Sequence, residues 1–118
     1  MQSAALAALL GHHRYSVGDE RALSQAVELV LQRGGVGYRR EVSLGDAGVI
    51  DFLVEGHIGL ELKAAGSPAA VIRQLHRYAG AAELDALVLL TTRASHRRLP
   101  ATVQGKPLSV VHLLASAF

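Results

Sequence analysis

Two acids and an amine, Asp51, Glu61 and Lys63, have the types and spacing to act together. In His57-Ile58-Gly59-Leu60-Glu61-Leu62-Lys63 apolar residues alternate with others. That is the period of a half-buried strand, so Glu61 and Lys63 point to one face. Upstream, Val49-Ile50-Asp51-Phe52-Leu53-Val54 has the pattern of a second strand, and Glu55-Gly56-His57 suits a three-residue hairpin loop. If Ile50, Phe52 and Val54 share a core with Ile58, Leu60 and Leu62, residue 54 pairs with 58, 52 with 60 and 50 with 62. Asp51 then lies opposite Glu61, and Val49 opposite Lys63, with facing Cβ atoms about 4.5–5.5 Å apart. A two-residue loop would put the acids on opposite faces.

Like charges directly opposite destabilise a sheet, so the pair calls for a cation. Hard carboxylate oxygens in a small cage suit Mg²⁺, with Mn²⁺ as a substitute. Such an ion polarises a phosphoryl oxygen and acidifies water. A lysine beside it can orient that water or neutralise charge developing on phosphorus. Phosphodiester hydrolysis requires these functions. Gly59, between the loop and Glu61, is expected to keep that face open for a phosphate backbone.

The elements that must position these groups are legible along the chain. Residues 19 to 33 predict a helix, with Leu23, Ala26, Val27, Val30 and Leu31 on one face and Gly34-Gly35 ending it. Residues 38 to 43 predict a strand, and residues 45 to 48 a turn. Ser67 and Pro68 suit the cap and first position of another helix, whose stripe is Val71, Ile72, Leu75, Tyr78 and Ala79 and which Gly80 closes. Residues 84 to 92 follow, apolar on both faces like a doubly covered central strand. Residues 93 to 106 are basic and irregular, 108 to 113 predict a last strand, and the tail beyond is expected to be helical. The order α-β-β-β-α-β-β implies an α/β fold with a mixed sheet flanked by helices.

The stretch "VIDFLVEGHIGLELKAAGSPAAVIRQLHRYA" resembles the core of the PD-(D/E)xK nuclease superfamily, which includes restriction endonucleases, Holliday-junction resolvases, virus-type replication-repair nucleases and recombination exonuclease domains. The resemblance rests on Glu20, Asp51, Glu61-Leu62-Lys63 and Gln74-Leu75-His76-Arg77-Tyr78 in that order, and covers about residues 19 to 92. Ile50 stands where the signature has Pro. The resemblance implies a restriction-endonuclease-like αβββαβ core and an Mg²⁺-dependent deoxyribonuclease, structure- or end-directed, of the kind used in DNA repair and recombination. By it, Asp51, Glu61 and the backbone carbonyl of Leu62 would hold the metal, Lys63 would serve the water, and Glu20 would bind a second metal or its water. Gln74 would orient the site, with Tyr78 one turn on. Apart from the resemblance, Arg73 and Arg77, on the helix that carries Gln74, with Arg40 and Tyr78, are the expected substrate contacts.

Other candidates compete. Glu28 could replace Glu20, but it falls among Arg21, Ser24 and Gln25 on the polar face. Glu41 on the neighbouring strand is expected to pair with an Arg. Arg39, Arg93, Arg97 and Arg98 could also meet phosphates. The six His are dispersed without zinc-ligand spacing.

Composition bounds the rest. The 118 residues are half hydrophobic, which suits one domain with an aliphatic core. Residues 1 to 15 read as a helical extension that packs or dimerises, since the apolar start lacks the basic region of a signal peptide. There are no cysteines and no apolar run near the ~20 residues of a membrane span, so a cytoplasmic or nucleoid-associated location is expected. Ten of the twelve Lys and Arg residues are Arg, the better phosphate fork, and the pI is about 9.4. DNA is the expected partner, with a second copy or another protein supplying specificity. The alternatives are a non-catalytic nucleic-acid-binding or assembly module on the same fold, and a structural α/β protein.

Overall fold

The computed structural model describes residues 1–15 and 19–113. Three helices, α1 (Ser3–Gly11), α2 (Glu20–Arg33) and α3 (Pro68–Ala79), accompany six strands. The strands are β1 (Tyr38–Ser43), β2 (Val49–Val54), β3 (Ile58–Lys63), β4 (Ala86–Thr91), β5 (Thr102–Val103) and β6 (Lys106–His112). Short 3₁₀ turns occupy Gly45–Ala47 and Ala94–Arg98. The radius of gyration is 13.0 Å, close to the ~13 Å of a compact chain of this size.

Local chemistry accounts for the helix ends. The Asp19 side chain accepts the Ala22 N–H at 2.9 Å, and Ser67 accepts that of Ala70 at 3.1 Å. Each satisfies one donor that the first helical turn leaves open. Pro68 opens α3 as expected, and Gly34 and Gly80 cap the far ends of α2 and α3.

The sheet order is β1-β2-β3-β4-β6-β5. β1, β2 and β3 are antiparallel, β3, β4 and β6 run parallel, and β5 returns antiparallel at the edge. α1 and α2 cover one face. Leu6, Leu10, Leu23, Val27 and Leu31 pack there on Phe52, Val54, Ile58, Leu60, Leu62, Val88 and Leu90. α3 covers the other face, where Val71, Leu75 and Tyr78 meet Ile50, Leu53, Leu87 and Leu89. Every residue of β4 is buried, as a strand covered on both faces requires. The amino-terminal helix packs: Leu6 and Leu10 are fully buried against the β4–β6 side. The expected helical tail beyond Leu113 lies outside the described residues. No helix among the described residues is long and apolar enough to cross a membrane.

Two expectations fail at one place. Val54 pairs with Ile58 and Phe52 with Leu60, as the alternation predicts. Ile50, however, does not join Phe52 and Val54; it packs in the α3 core. The pleat is interrupted at Asp51. On the β1 side, Arg40 pairs with Phe52 and Val42 with Ile50, but Glu41 and Asp51 drop out of the ladder, and Glu41 has φ 51°. The left-handed backbone at Glu41 breaks the two-residue period that the alternation rule assumes.

Gly59 is the second correction. A Cβ there would stand 2.5 Å from Ile50 Cδ1, 3.0 Å from Leu87 and 3.1 Å from Leu84. The face above Gly59 is therefore filled by core, and the missing side chain makes room for Ile50 rather than for a ligand. We expect Gly59→Ala to destabilise the fold by about 1–3 kcal/mol through overpacking. Urea denaturation of both proteins checks this, and equal midpoints would contradict the packing account.

Candidate functional site

The sheet opens where β2 leaves β3. Pairing ends at Phe52–Leu60, and two carboxylates bridge the gap beyond it. The Asp51 N–H donates to Glu61 Oε1 at 3.2 Å, and the Leu62 N–H donates to Asp51 Oδ2 at 2.8 Å. Each strand thus satisfies a backbone donor of the other with an acidic side chain, in place of a ladder bond. The exchange brings Asp51 and Glu61 together, but the expected direct pairings of residue 51 with 61 and 50 with 62 are not part of the ladder. The expected pairing of Val49 with Lys63 is not part of the ladder.

Glu61 is the more buried partner, with 3% of its surface exposed. Burial, and next the Asp51 carboxylate, push its pKa up to about 8, while the Lys63 ammonium opposes the rise. Lys63 Nζ lies 3.5 Å from Glu61 Oε2. The Tyr78 hydroxyl lies 3.3 Å from the same oxygen and 2.8 Å from the Val49 carbonyl, and it accepts from Gln74 Nε2 at 2.8 Å. A hydroxyl has one hydrogen. The Val49 carbonyl is the nearer of its two acceptors and Glu61 Oε2 the farther. Burial and the nearby carboxylates raise the Tyr78 pKa as well.

Two more elements reach this end of the sheet. Glu20, in the first turn of α2, accepts the Ala64 N–H at 2.9 Å and so stands one residue past Lys63. Its competitor Glu28 is engaged elsewhere, 3.2 Å from Arg40 and accepting from the Tyr38 hydroxyl. A recess of about 90 Å³ is lined by Lys63, Ala65, Gly66, Ala70, Val71 and Gln74. All of this lies at the carboxyl ends of parallel β3 and β4, where open α/β sheets bind ligands.

The sequence candidates therefore separate. Asp51, Glu61, Lys63, Gln74 and Tyr78 form one connected group, and Glu20 borders it. Tyr78, expected to meet substrate, is 2% exposed and instead holds Glu61 in place. Arg40 lies 5.3 Å over the Phe52 ring, with its guanidinium on Glu28 and Ser24. That places it on the α2 face, committed to protein partners. Glu41 forms no ion pair among the described residues, so its expected Arg partner is absent. Arg73 and Arg77 are exposed on α3.

His96 was missed. It is fully buried, with Nε2–H donating to the Gly66 carbonyl at 2.7 Å and Nδ1 hydrogen-bonded to Thr91 Oγ1 at 2.7 Å. The Arg93 N–H also donates to Thr91 Oγ1, at 3.0 Å. His96 thus fastens the 94–98 turn to the loop that carries the recess. Only its place in a basic, irregular stretch hinted at it, because its partner lies 30 residues away.

Asp51 and Glu61 carry carboxylate oxygens of the kind that hard divalent ions take, and burial together with the charge of Asp51 disfavours the ionised form of Glu61. Among the described residues, no group of three or more His, Cys, Asp or Glu side chains converges as a metal site. No protein-family model, curated protein or solved structure matches the chain.

Proposed function

We propose that this protein is a divalent-metal-dependent nuclease that hydrolyses DNA phosphodiester bonds on a restriction-endonuclease-like αβββαβ core. One observation carries the reading: Asp51 and Glu61 exchange backbone hydrogen bonds across a fork in the sheet, with Lys63 against the buried acid. Neutral side chains could satisfy the same two backbone donors, so two acids whose repulsion costs stability there suit a site that takes a cation. The order of Glu20, Asp51, Glu61, Lys63, Gln74 and Tyr78 along the chain supports the same reading.

Asp51, Glu61 and the Leu62 carbonyl would hold Mg²⁺ or Mn²⁺, which when bound supplies Lewis-acid polarisation of the phosphate and a more acidic water. The chain's own residues do the remaining work. Lys63 orients the attacking water or takes its proton, and its charge balances that developing on the phosphoryl oxygens. Tyr78 and Gln74 hold the Glu61 carboxyl in register, and Glu20 adds a carboxylate at the solvent side.

A non-catalytic DNA-binding module on the same fold is the second reading. It is favoured by the lack of a third converging acid or histidine among the described residues. Purified protein incubated with linear, nicked, flapped, branched and single-stranded DNA in Mg²⁺, Mn²⁺ or EDTA separates the two. The nuclease reading expects cleavage of at least one substrate that EDTA stops. Salt-sensitive binding without cleavage in either metal would replace it with the binding module.

A further inference from the structure

Every Asp and Glu of this chain lies between residues 19 and 85. From Ala86 onward the charged residues are Arg93, Arg97, Arg98 and Lys106, all basic. Lys106 is held internally, donating to the Ala81 carbonyl at 2.8 Å. The three arginines belong to the segment that leaves β4, and all three are exposed. Arg97 and Arg98, with Pro68, Ala94 and Ser95, line a groove of about 670 Å³. None of the ion pairs among the described residues involves these arginines.

The groove has a fixed relation to Lys63. His96, between Ser95 and Arg97, is buried and bonded to the Gly66 carbonyl, and Gly66 also lines the recess that holds Lys63 and Gln74. Residues 64 to 68 are thus the shared wall between recess and groove. The Thr92 N–H donates to the Lys63 carbonyl at 3.1 Å, which ties the start of the basic segment to the end of β3. Two exposed guanidiniums on a turn anchored by a buried side chain present charge in a set position.

We propose that the Arg97–Arg98 groove binds the DNA backbone beside the scissile phosphate, with these two arginines as phosphate contacts. The inference deepens the nuclease reading and rests on it for the location of the scissile bond. It also makes the substrate a strand that runs past the site, because the groove lies to one side of Lys63. Its charge is unbalanced by any acid in its own segment, which is complementary to a polyanion.

The test is binding, measured in EDTA so that cleavage plays no part. Fluorescence anisotropy of labelled duplex and single-stranded DNA is recorded across a salt series for the wild type, Arg97→Ala/Arg98→Ala, Arg97→Lys/Arg98→Lys and Arg33→Ala. Arg33 ends α2 on the opposite face. Each duplex phosphate contact contributes about 0.9 to the slope of log affinity against log salt. The double alanine variant is expected to lose about tenfold in low-salt affinity and roughly two units of slope. The lysine pair should restore most of that slope, and Arg33→Ala should leave it unchanged. Thermal melting verifies that the variants fold. An unchanged slope in a folded double alanine variant overturns the proposal, as does wild-type protein that binds neither DNA. Preference for an RNA of the same sequence in a parallel arm also overturns it. Wild-type binding through these arginines without cleavage in Mg²⁺ or Mn²⁺ would leave the groove standing and remove the nuclease reading.

Discussion

Lys63→Ala is expected to lower the proposed Mg²⁺-dependent DNA cleavage by about 100- to 10,000-fold, the range that a positioned acid–base or charge-stabilising side chain provides. The fold should survive the change. Lys63 is only partly buried and its one ion-pair partner is Glu61. The loss of that partner raises the cost of ionising Glu61 but leaves no orphaned backbone group. Arg at the same position keeps the charge yet holds it on a longer, planar head, so Lys63→Arg should recover little activity. The measurement is a single-turnover rate on the substrate that the wild type cleaves best, beside a melting curve for each variant. Wild-type rates in folded Lys63→Ala would remove Lys63 from the mechanism. Asp51→Asn should lose a comparable factor, because its oxygen can still accept the Leu62 N–H but a neutral amide is a poor ligand for a hard cation.

The sequence made the scaffold of this site legible because the signals were local. Ser67, Pro68, Gly34 and Gly80 end helices through contacts within a turn, and the alternation in β3 needs only its own residues. The pairing of β2 on β3 near the hairpin also followed, 54 with 58 and 52 with 60, since Phe52, Val54, Ile58 and Leu60 bury toward one core. What escaped was set by partners distant in sequence. Ile50 faces the α3 core because Glu41 on another strand breaks the pleat beside Asp51. Gly59 has the look of an open surface until Ile50, Leu84 and Leu87 fill the space above it. His96 carries no periodic signal, and β5 is two residues long. Arg40 read as a phosphate contact because nothing along the chain announces that Glu28, Ser24 and Phe52 already surround it.

Glu61 provides the other large expected effect, on stability rather than rate. Its ordinary value of 4.5 rises to about 8 in the folded protein, chiefly through burial and then through Asp51. Below about pH 4.5 the carboxyl is protonated in both folded and unfolded chains and contributes no pH dependence. Between about 4.5 and 8 the folded state keeps a proton that the unfolded state has released, so stability falls as pH rises. Above about 8 both states are ionised and the full penalty is present. The metal-free protein should therefore melt progressively lower from pH 5 to pH 8 in EDTA. Glu61→Gln keeps the size of the acid without its charge, and its oxygen can still accept the Asp51 N–H. The variant should be more stable than wild type near pH 8 by on the order of 2 kcal/mol and should lose most of the slope. It should also lose the rise in melting temperature that the proposed metal site predicts for the wild type in Mn²⁺, because a neutral amide is a poor ligand for a hard cation. Opposite signs in the two media, more stable in EDTA and less responsive to Mn²⁺, distinguish a binding carboxylate from a core acid. A Glu61→Gln protein that melts below wild type at pH 8 would show that the ionised carboxylate stabilises the fold, and the fork at Asp51 and Glu61 would then be structural rather than a site held ready for a cation.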